Sequence, residues 1–349
     1  MPVNTSPSEI PVLLLYNLDP KWSASDKAEI MNVTSQVYEV IRIAGHQTTL
    51  VQVTDSDLDS VLSEFDPHEY VVFNWCENLP GIPNSEGLVV EYLEQHGFTF
   101  TGSSSATLAL ALDKYSVKRL FDEAKILTPK WGIYDKVSSV NWKNFPAIVK
   151  PSKEHCSEGI NRNAVVMTEA TMKNRVRYII KRFQQPALVE DFIDGREFHI
   201  SLWGNTDLEM LPPAEMEFSL FKDKYDRLCT YESKFVPNSP QYKNIQTLIP
   251  APLSEDELHD VEQACKAAYM LIGCRDYARI DMRMKDGLFY IIDVNPNADI
   301  SPDTSTISAV EFMGYKYSDF IEKIILLSAQ RHPKWGEQIY SSNPGNVST

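Results

Sequence analysis

The chain is short of glycine, with 14 in 349 residues. It contains no G-x-G-x-x-G and no G-x-x-x-x-G-K-S/T, so neither common glycine-rich phosphate cradle is present. A nucleotide, if one is bound, is held by another device. Cysteine is also sparse: Cys76, Cys156, Cys229, Cys265 and Cys274, an odd number at irregular spacing with no C-x-x-C. That excludes a disulfide framework and a cysteine-rich structural zinc site, and fits a reducing compartment. Positive charge is in deficit. Lysine and arginine total 33 against 48 aspartates and glutamates, a net charge of −15. Nucleic acid and anionic membrane surfaces both require clustered Lys and Arg, so neither is expected as a partner. No apolar run approaches the roughly 20 residues that span a bilayer. Residues 1–10 lack a basic start followed by an apolar stretch, so no signal peptide is expected. Hydrophobic residues make up 43 %, ample for a core. The expectation is a cytoplasmic α/β protein of two or three lobes.

The first hundred residues alternate strands and helices. Pro11–Asn17, Thr48–Val53 and Tyr70–Phe73 read as short strands. Asp26–Ala44 has helical periodicity and ends at Gly45, and Gly87–Gly97 is a second helix before Phe98–Thr101. This alternation predicts a parallel sheet. Ser105–Ala124 reads as one helix stopped by Thr128-Pro129. Ala147–Lys150 is a strand, Ser152–Gly159 a polar loop, and Thr168–Gln184 a basic helix. Leu188–Phe192 and Glu197–Trp203 are strands around Asp194-Gly195. Ser254 and Glu257 form a capping box for a helix that stops at Gly273. Two alternating strands follow, Tyr277–Met284 and Leu288–Val294, joined by Lys285-Asp286-Gly287.

That hairpin carries the most informative charges. Arg279 and Asp281 are two apart and share a face, as do Asp293 and Asn295. Two carboxylates and an amide oxygen are hard ligands that suit magnesium beside substrate phosphates. A solvated hairpin face is the competing reading. The two acidic faces coincide with a three-residue loop at 285–287. A two-residue Asp-Gly turn would put the acids on opposite faces. Lys114 begins a helical stretch, Lys150 ends an apolar strand, Lys234 lies in a Tyr-Glu-Ser-Lys-Phe run, and Glu190 closes Ala-Leu-Val-Glu. Taken singly, each lysine reads as an ordinary surface residue.

Together these residues resemble a family. The chain is similar to the ATP-grasp ligases, and within them to the D-alanine–D-alanine ligases, over roughly residues 74–330. The resemblance rests on five ordered motifs. They are Thr101-Gly102-Ser103 with Asp113-Lys114 and Lys118; Phe145–Pro151; Leu188–Phe198; Ala278–Asp281; and Asp293-Val294-Asn295-Pro296-Asn297. It implies an α/β chain of α+β lobes in the ATP-grasp fold. The N-terminal parallel-sheet domain would span residues 1–103, a central lobe 104–187 and a C-terminal lobe 188–349. It implies ATP and Mg2+ as cofactors. Lys114, Lys150 and Lys234 would reach the phosphates, with Ser157 in the loop that closes over ATP. Glu190 and the Asp191, Phe192 and Ile193 backbone would meet adenine, and Glu197 ribose. Asp281, Asp293 and Asn295 match the magnesium ligands. Arg279 matches the arginine on the transferred phosphoryl group, and with Lys234 it carries the chemistry.

The departures from the family lie at the amino-acid sites. Phe73-Asn74-Trp75-Cys76-Glu77 replaces a histidine–glycine segment, and the glutamate-bearing N-terminal stretch is absent, leaving Asp26 or Glu29 in its place. Ala298-Asp299 replaces Pro-Gly, and Asp299 and Ser301 are candidate substrate residues. His155-Cys156-Ser157 replaces Gly-Ser-Ser. The resemblance thus implies an enzyme that phosphorylates an acceptor oxygen and displaces the phosphate with an amino-acid amine. The named case is joining serine or threonine to mycosporine-glycine. The alternatives are D-alanine–D-alanine ligase and a nucleotide-binding protein without ligase activity. Small molecules are the implied partners, and a homodimer the implied assembly. His199, inside an apolar strand, reads as a core residue; His155 as a solvated loop residue; Tyr231 and Phe235 as flanking the substrate or the surface.

Overall fold

The computed structural model describes residues 9–155, 157–230, 233, 236 and 239–342. Strands β1 (Val12–Asn17), β2 (Thr48–Val53), β3 (Val71–Trp75) and β4 (Thr99–Phe100) form a parallel sheet in the order β2-β1-β3-β4. All six residues of β1 are buried, which explains its unbroken apolar run: a parallel strand is covered on both faces. Helix α1 (Ala24–Ile43) covers one side of this sheet. Helices α2 (Asp59–Leu62) and α3 (Glu86–Gln95) cover the other.

The helix expected over 105–124 is two, α4 (Ser105–Leu112) and α5 (Lys114–Ala124). Asp113 breaks it, with a non-helical φ of −84° and ψ of 85°. The freed Lys114 amide donates to the Ser152 carbonyl at 3.1 Å, which ties the start of α5 to the end of a strand in the second sheet.

That second sheet is antiparallel, ordered β5-β8-β6-β7, from β5 (Trp131–Tyr134), β6 (Ala147–Pro151), β7 (Val165–Val166) and β8 (Ala187–Asp191). Ala147, Val149, Ala187 and Val189 point to helix α6 (Glu169–Phe183) and pack on Met172, Val176 and Ile179. Each fully buried side chain of this size contributes roughly 1.5–3 kcal/mol. Strand alternation sends Ile148, Lys150 and Glu190 to the opposite, open face. The division expected at 187/188 falls inside β8.

The third sheet has the order β12-β11-β9-β13-β14, with β10 paired to β9. Its strands are β9 (Arg196–Trp203), β10 (Glu209–Met210), β11 (Ala214–Glu217), β12 (Gln246–Leu248), β13 (Tyr277–Lys285) and β14 (Leu288–Pro296). Helix α7 (Pro240–Asn244) precedes β12, and helix α8 (Glu255–Ile272) underlies the sheet. The Ser254–Glu257 capping box starts α8, and Gly273, at φ +82°, ends it. Phe198, Ile200, Ile280 and Met282 pack on Val261, Cys265 and Ala268. Helices α4 and α5 join this core through Ala111, Val117 and Phe121, on the third sheet and not the second. Helices α9 (Ser305–Phe312) and α10 (Tyr317–Ala329) return the chain to the first sheet. There Ile307, Phe320 and Ile324 share a core with Val12, Leu14 and Phe73. Helix α11 (Trp335–Ser342) closes the described chain.

Two close approaches fix how the sheets meet. The Asp194-Gly195 turn joins β8 and β9, which belong to different sheets. A Cβ on Gly195 would lie 1.9 Å from the Met284 carbonyl oxygen, so only glycine fits. Fully buried Asp276 accepts the Gly102 amide at 2.8 Å, Asn205 Nδ2 at 3.1 Å and both terminal nitrogens of Arg331 at 2.6 and 2.7 Å. It therefore binds the first sheet's exit loop, the third sheet and the C-terminal helices at one point.

The β13–β14 hairpin differs from expectation in an instructive way. Its turn has two residues, Asp286 and Gly287, both at positive φ, and Lys285 pairs with Leu288. Such a turn alone would place Asp281 opposite Ile292. The register shifts after Asp281, however: Met282 pairs with Ile291 while Asp281 pairs with Asp293. Ile292 is the extra residue of a β-bulge, and the bulge restores the shared face that the turn would have destroyed.

Candidate active site

A cleft of about 670 Å³ separates the open face of the second sheet from the third. Lys150 and Glu190 line it from one side, Glu197, Asp281 and Asp293 from the other, and the Asp191–Ile193 connection closes one end. Ser157 lines it from the Ser152–Gly159 loop, and Pro129, Ile148, Ile160, Leu228 and Ile292 give it apolar walls. A narrow slot with apolar walls and a charged end suits a flat heterocycle carrying an anionic tail.

The charged end is densely paired. Glu190 is 1 % exposed and lies 2.5 Å from both Lys118 and Lys150. Burial alone would push its carboxyl up, but the two ammonium groups outweigh it and hold Glu190 down at about 2. Lys118 also donates to Thr128, whose hydroxyl bonds the Ile291 carbonyl at 2.7 Å. The structure thus gives Glu190 a first task the family motif does not state: it is the counter-ion that permits two lysines to be buried. Lys114, 7 % exposed, reaches across to both oxygens of Asp293 at 3.3 Å.

On the third sheet, Arg279 grips Asp281 with two hydrogen bonds of 2.7 and 3.1 Å. Burial disfavours the charged guanidinium, but Asp281 raises its pKa above the ordinary value and keeps it protonated. Asn295 Nδ2 donates to Asp281 at 3.0 Å, and Asp293 is the cross-strand partner of Asp281. Asp281, Asp293 and Asn295 therefore offer oxygen atoms from one sheet face, and both acids already draw cationic partners. That donor set fits magnesium.

Other residues in the cleft escaped the sequence reading. Arg283 bonds Glu197 at 2.7 Å and the Ile193 carbonyl at 2.9 Å, fixing the acid and the inter-sheet connection together. The alternation that exposed Arg279 and Asp281 extends to it. His199 is a correction. It is buried, but it stands on the cleft face opposite Asp281, not in the apolar core, because it alternates with Phe198 and Ile200. His155 is also no free loop residue: burial, then Lys114, lower its pKa, so it faces the same charged end.

A second cleft, of about 310 Å³, opens between the first and third sheets. Asn74, Glu77, Glu86, Tyr277, Asn297 and Asp299 are among its lining, which includes no basic side chain among the described residues. Asn297 joins its walls: its Oδ1 accepts the Ser103 amide and its Nδ2 donates to Glu86, each at 2.7 Å. A Cβ on Gly102 would meet Asn297 Oδ1 at 2.2 Å, so the loop motif requires glycine there. The carboxyl of Glu86 is raised to about 8 and that of Glu77 to about 7, chiefly because the cleft walls thin their hydration. Mutual repulsion with Asp299 adds to this at Glu77. Ser301 donates its amide and hydroxyl to Asp299 at 2.8 and 2.6 Å, so the two candidate substrate residues form one unit.

Asp26 departs from expectation. It is exposed in the first turn of α1, its amide bonded to Ser23 Oγ at 3.1 Å, and it lines neither cleft. An acid there serves the helix N-terminus, which explains why it resembled a site glutamate in position alone. Glu29 is likewise exposed on α1. Lys234, Cys156, Tyr231 and Phe235 lie outside the described residues.

Known proteins resemble this chain in family and in fold. The family model described as the D-ala D-ala ligase C-terminus matches residues 124–326. The chain is 30 % identical to protein y4sG of Sinorhizobium fredii over 86 % of its length and 88 % of the relative's. It is 29 % identical to a D-alanine–D-alanine ligase of Marinomonas over 70 % of this chain and 74 % of that one. The Bacillus anthracis D-alanine–D-alanine ligase, solved in complex with ATP, superposes with a TM-score of 0.70 at 19 % identity. That match covers 93 % of this chain and 99 % of that one, and it shows a shared fold.

Proposed function

The chain belongs to the D-alanine–D-alanine ligase-like family of ATP-grasp proteins, and from that premise we propose that it joins an amino-acid amine to an acceptor activated by ATP. The observation that carries the reading is the facing of two charged sheet surfaces across one cleft. Lys150 and Lys118 stand on Glu190 at one side, and Arg279, Asp281, Asp293 and Asn295 at the other. ATP lies between the sheets, with adenine against the Asp191–Ile193 connection, ribose at Glu197 and phosphates toward Lys114, Lys150 and Arg279. Lys234 is proposed to join them from its loop.

An acceptor oxygen attacks the γ-phosphorus and ADP leaves. The amine then attacks the activated carbon, loses a proton, and phosphate departs with the acceptor oxygen. Charge accumulates on the transferred group, and Lys114, Lys150 and Arg279 are fixed in advance to neutralise it. Magnesium, held by oxygens of Asp281, Asp293 and Asn295, would supply further neutralisation of the phosphates.

The second cleft is proposed to seat the amine-bearing substrate. Three acidic side chains, with no basic one among the described lining residues, favour an ammonium group over a carboxylate, the more so as Glu77 and Glu86 ionise. An uncharged ring oxygen suits the acceptor better, so mycosporine-glycine with serine or threonine is the first pair to test and D-alanine the control. Mass detection of the condensed product with each pair decides. A D-alanyl-D-alanine peak in place of the first product returns the chain to the cell-wall reaction.

A further inference from the structure

One group of donors in the nucleotide cleft includes two residues, His199 and Cys229, that have no part in the chemistry above, beside Glu197. Glu197 and His199 are two apart on β9 and face the cleft together. Cys229 approaches from the segment after the turn Lys224–Asp226. One ligand atom of each lies within 4.8 Å of the other two. Glu197 and His199 are buried and Cys229 is half-buried. His199 Nε2 is 3.9 Å from Glu197 Oε1 and 4.0 Å from Asp281 Oδ1, while Nδ1 is 3.4 Å from Ser305 Oγ. The Ser305 hydroxyl on one ring nitrogen leaves the other nitrogen turned to the ligand set, and a metal-bound histidine is oriented by such a partner on its other nitrogen. Arg283 occupies Glu197 Oε2 at 2.7 Å, so Oε1 is the oxygen turned to the histidine.

An imidazole nitrogen, a thiol sulfur and one carboxylate oxygen form a borderline-soft set. It differs in kind from the all-oxygen platform of Asp281, Asp293 and Asn295, and it suits zinc and its first-row neighbours, not magnesium. We propose that Glu197, His199 and Cys229 bind a thiophilic divalent cation, Zn2+ by its chemistry, when the cleft holds no nucleotide. Three protein donors leave a fourth tetrahedral position for water. Bond lengths of about 2.0 Å to nitrogen and about 2.3 Å to sulfur require the donors to close by roughly 1 Å. Rotation of Cys229 on its loop supplies that movement. The thiol gives up its proton to solvent as it ligates. Ser157 Oγ donates to the Cys229 carbonyl at 2.9 Å, which ties Cys229 to the wall of the same cleft. On the reading of Glu197 as the ribose contact, which rests on the proposed function, cation and nucleotide exclude each other.

The test titrates the metal-free full-length protein with Co2+, whose thiolate complexes show a near-ultraviolet charge-transfer band. The expected result is a band saturating at one equivalent, removed by Zn2+ but not by Mg2+. Cys229→Ser abolishes it although the other four cysteines remain, and His199→Gln weakens Co2+ binding about tenfold or more. Circular dichroism verifies folding; if Cys229→Ser does not fold, Glu197→Gln and His199→Gln carry the comparison. Saturating MgATP bleaches the band. Calorimetry of MgATP on metal-free protein reports separately whether the nucleotide reading itself holds. No band at stoichiometric Co2+, or a band that persists in folded Cys229→Ser, overturns the site; a band that survives bound MgATP overturns the shared use of Glu197.

Discussion

Glu190 carries more of the site than its place at the end of an apolar strand suggested. Glu190→Gln removes the counter-ion of two buried lysines, and breaking a buried ion pair on one side costs about 3–5 kcal/mol. Denaturant unfolding at neutral pH is expected to show that loss. Because Glu190 is held near 2, below its unfolded value of about 4.3, its contribution is present above pH 4.3 and disappears as pH falls toward 2. Glu86 works in the other direction. Its carboxyl is raised to about 8, so the folded state holds a proton that the unfolded state has lost above pH 4.3. Stability therefore falls as pH rises from about 4.3 to 8, and Glu86→Gln should flatten that slope in thermal melts. Affinity for an ammonium-bearing substrate should rise over the upper part of the same window, as Glu77 and Glu86 ionise. Calorimetry at pH 6 and pH 8 gives the comparison.

Among the elements, the hairpin of β13 and β14 decides whether the metal platform exists. Deleting Ile292 removes the extra residue of the bulge and leaves Asp281 opposite Asp293 in a regular hairpin. The variant is expected to keep its circular dichroism and its magnesium-dependent ATP binding, whereas Asp293→Ala is expected to lose that binding. Gly195→Ala tests the sheet connection: its Cβ would strike the Met284 carbonyl, backbone that cannot swing aside, and a loss of about 1–3 kcal/mol is expected. These elements also show what the sequence discloses. Alternation exposed Arg279, Asp281, Asp293 and Asn295 as polar positions in apolar strands, and the Ser254–Glu257 box and Gly273 marked both ends of α8. The bulge left no mark, because an isoleucine in a bulge looks like any isoleucine in a strand. β11 and β12 leave little pattern because they are short, four and three residues. The break at Asp113 was hidden by helical periodicity on both sides of it. His199 was misplaced because its neighbours are apolar, although the strand period that placed Arg279 applies equally to it.

Across the whole molecule, Asp276 and Arg331 hold the first and third sheets and the C-terminal helices in one arrangement, and both clefts lie between sheets. Arg331→Met leaves a fully buried carboxylate without its charged partner and should cost about 3 kcal/mol. Because Asp276 also fixes the Gly102 loop beside Asn297, the second cleft should lose substrate affinity before the first loses ATP. The deficit of glycine and of positive charge has the same origin at this scale. On the proposed reading, phosphates are met by a few lysines and one arginine projected from separate elements, with acids as their counter-ions, and a glycine-rich cradle has no place in such a cleft. The most direct test of the account is ADP release measured with MgATP, an amine and an acceptor, omitting one component at a time. The account predicts sustained release over many turnovers only when both amine and acceptor are present, matched by a product of their combined mass less one water. ADP formed at the same rate with either one omitted would contradict it.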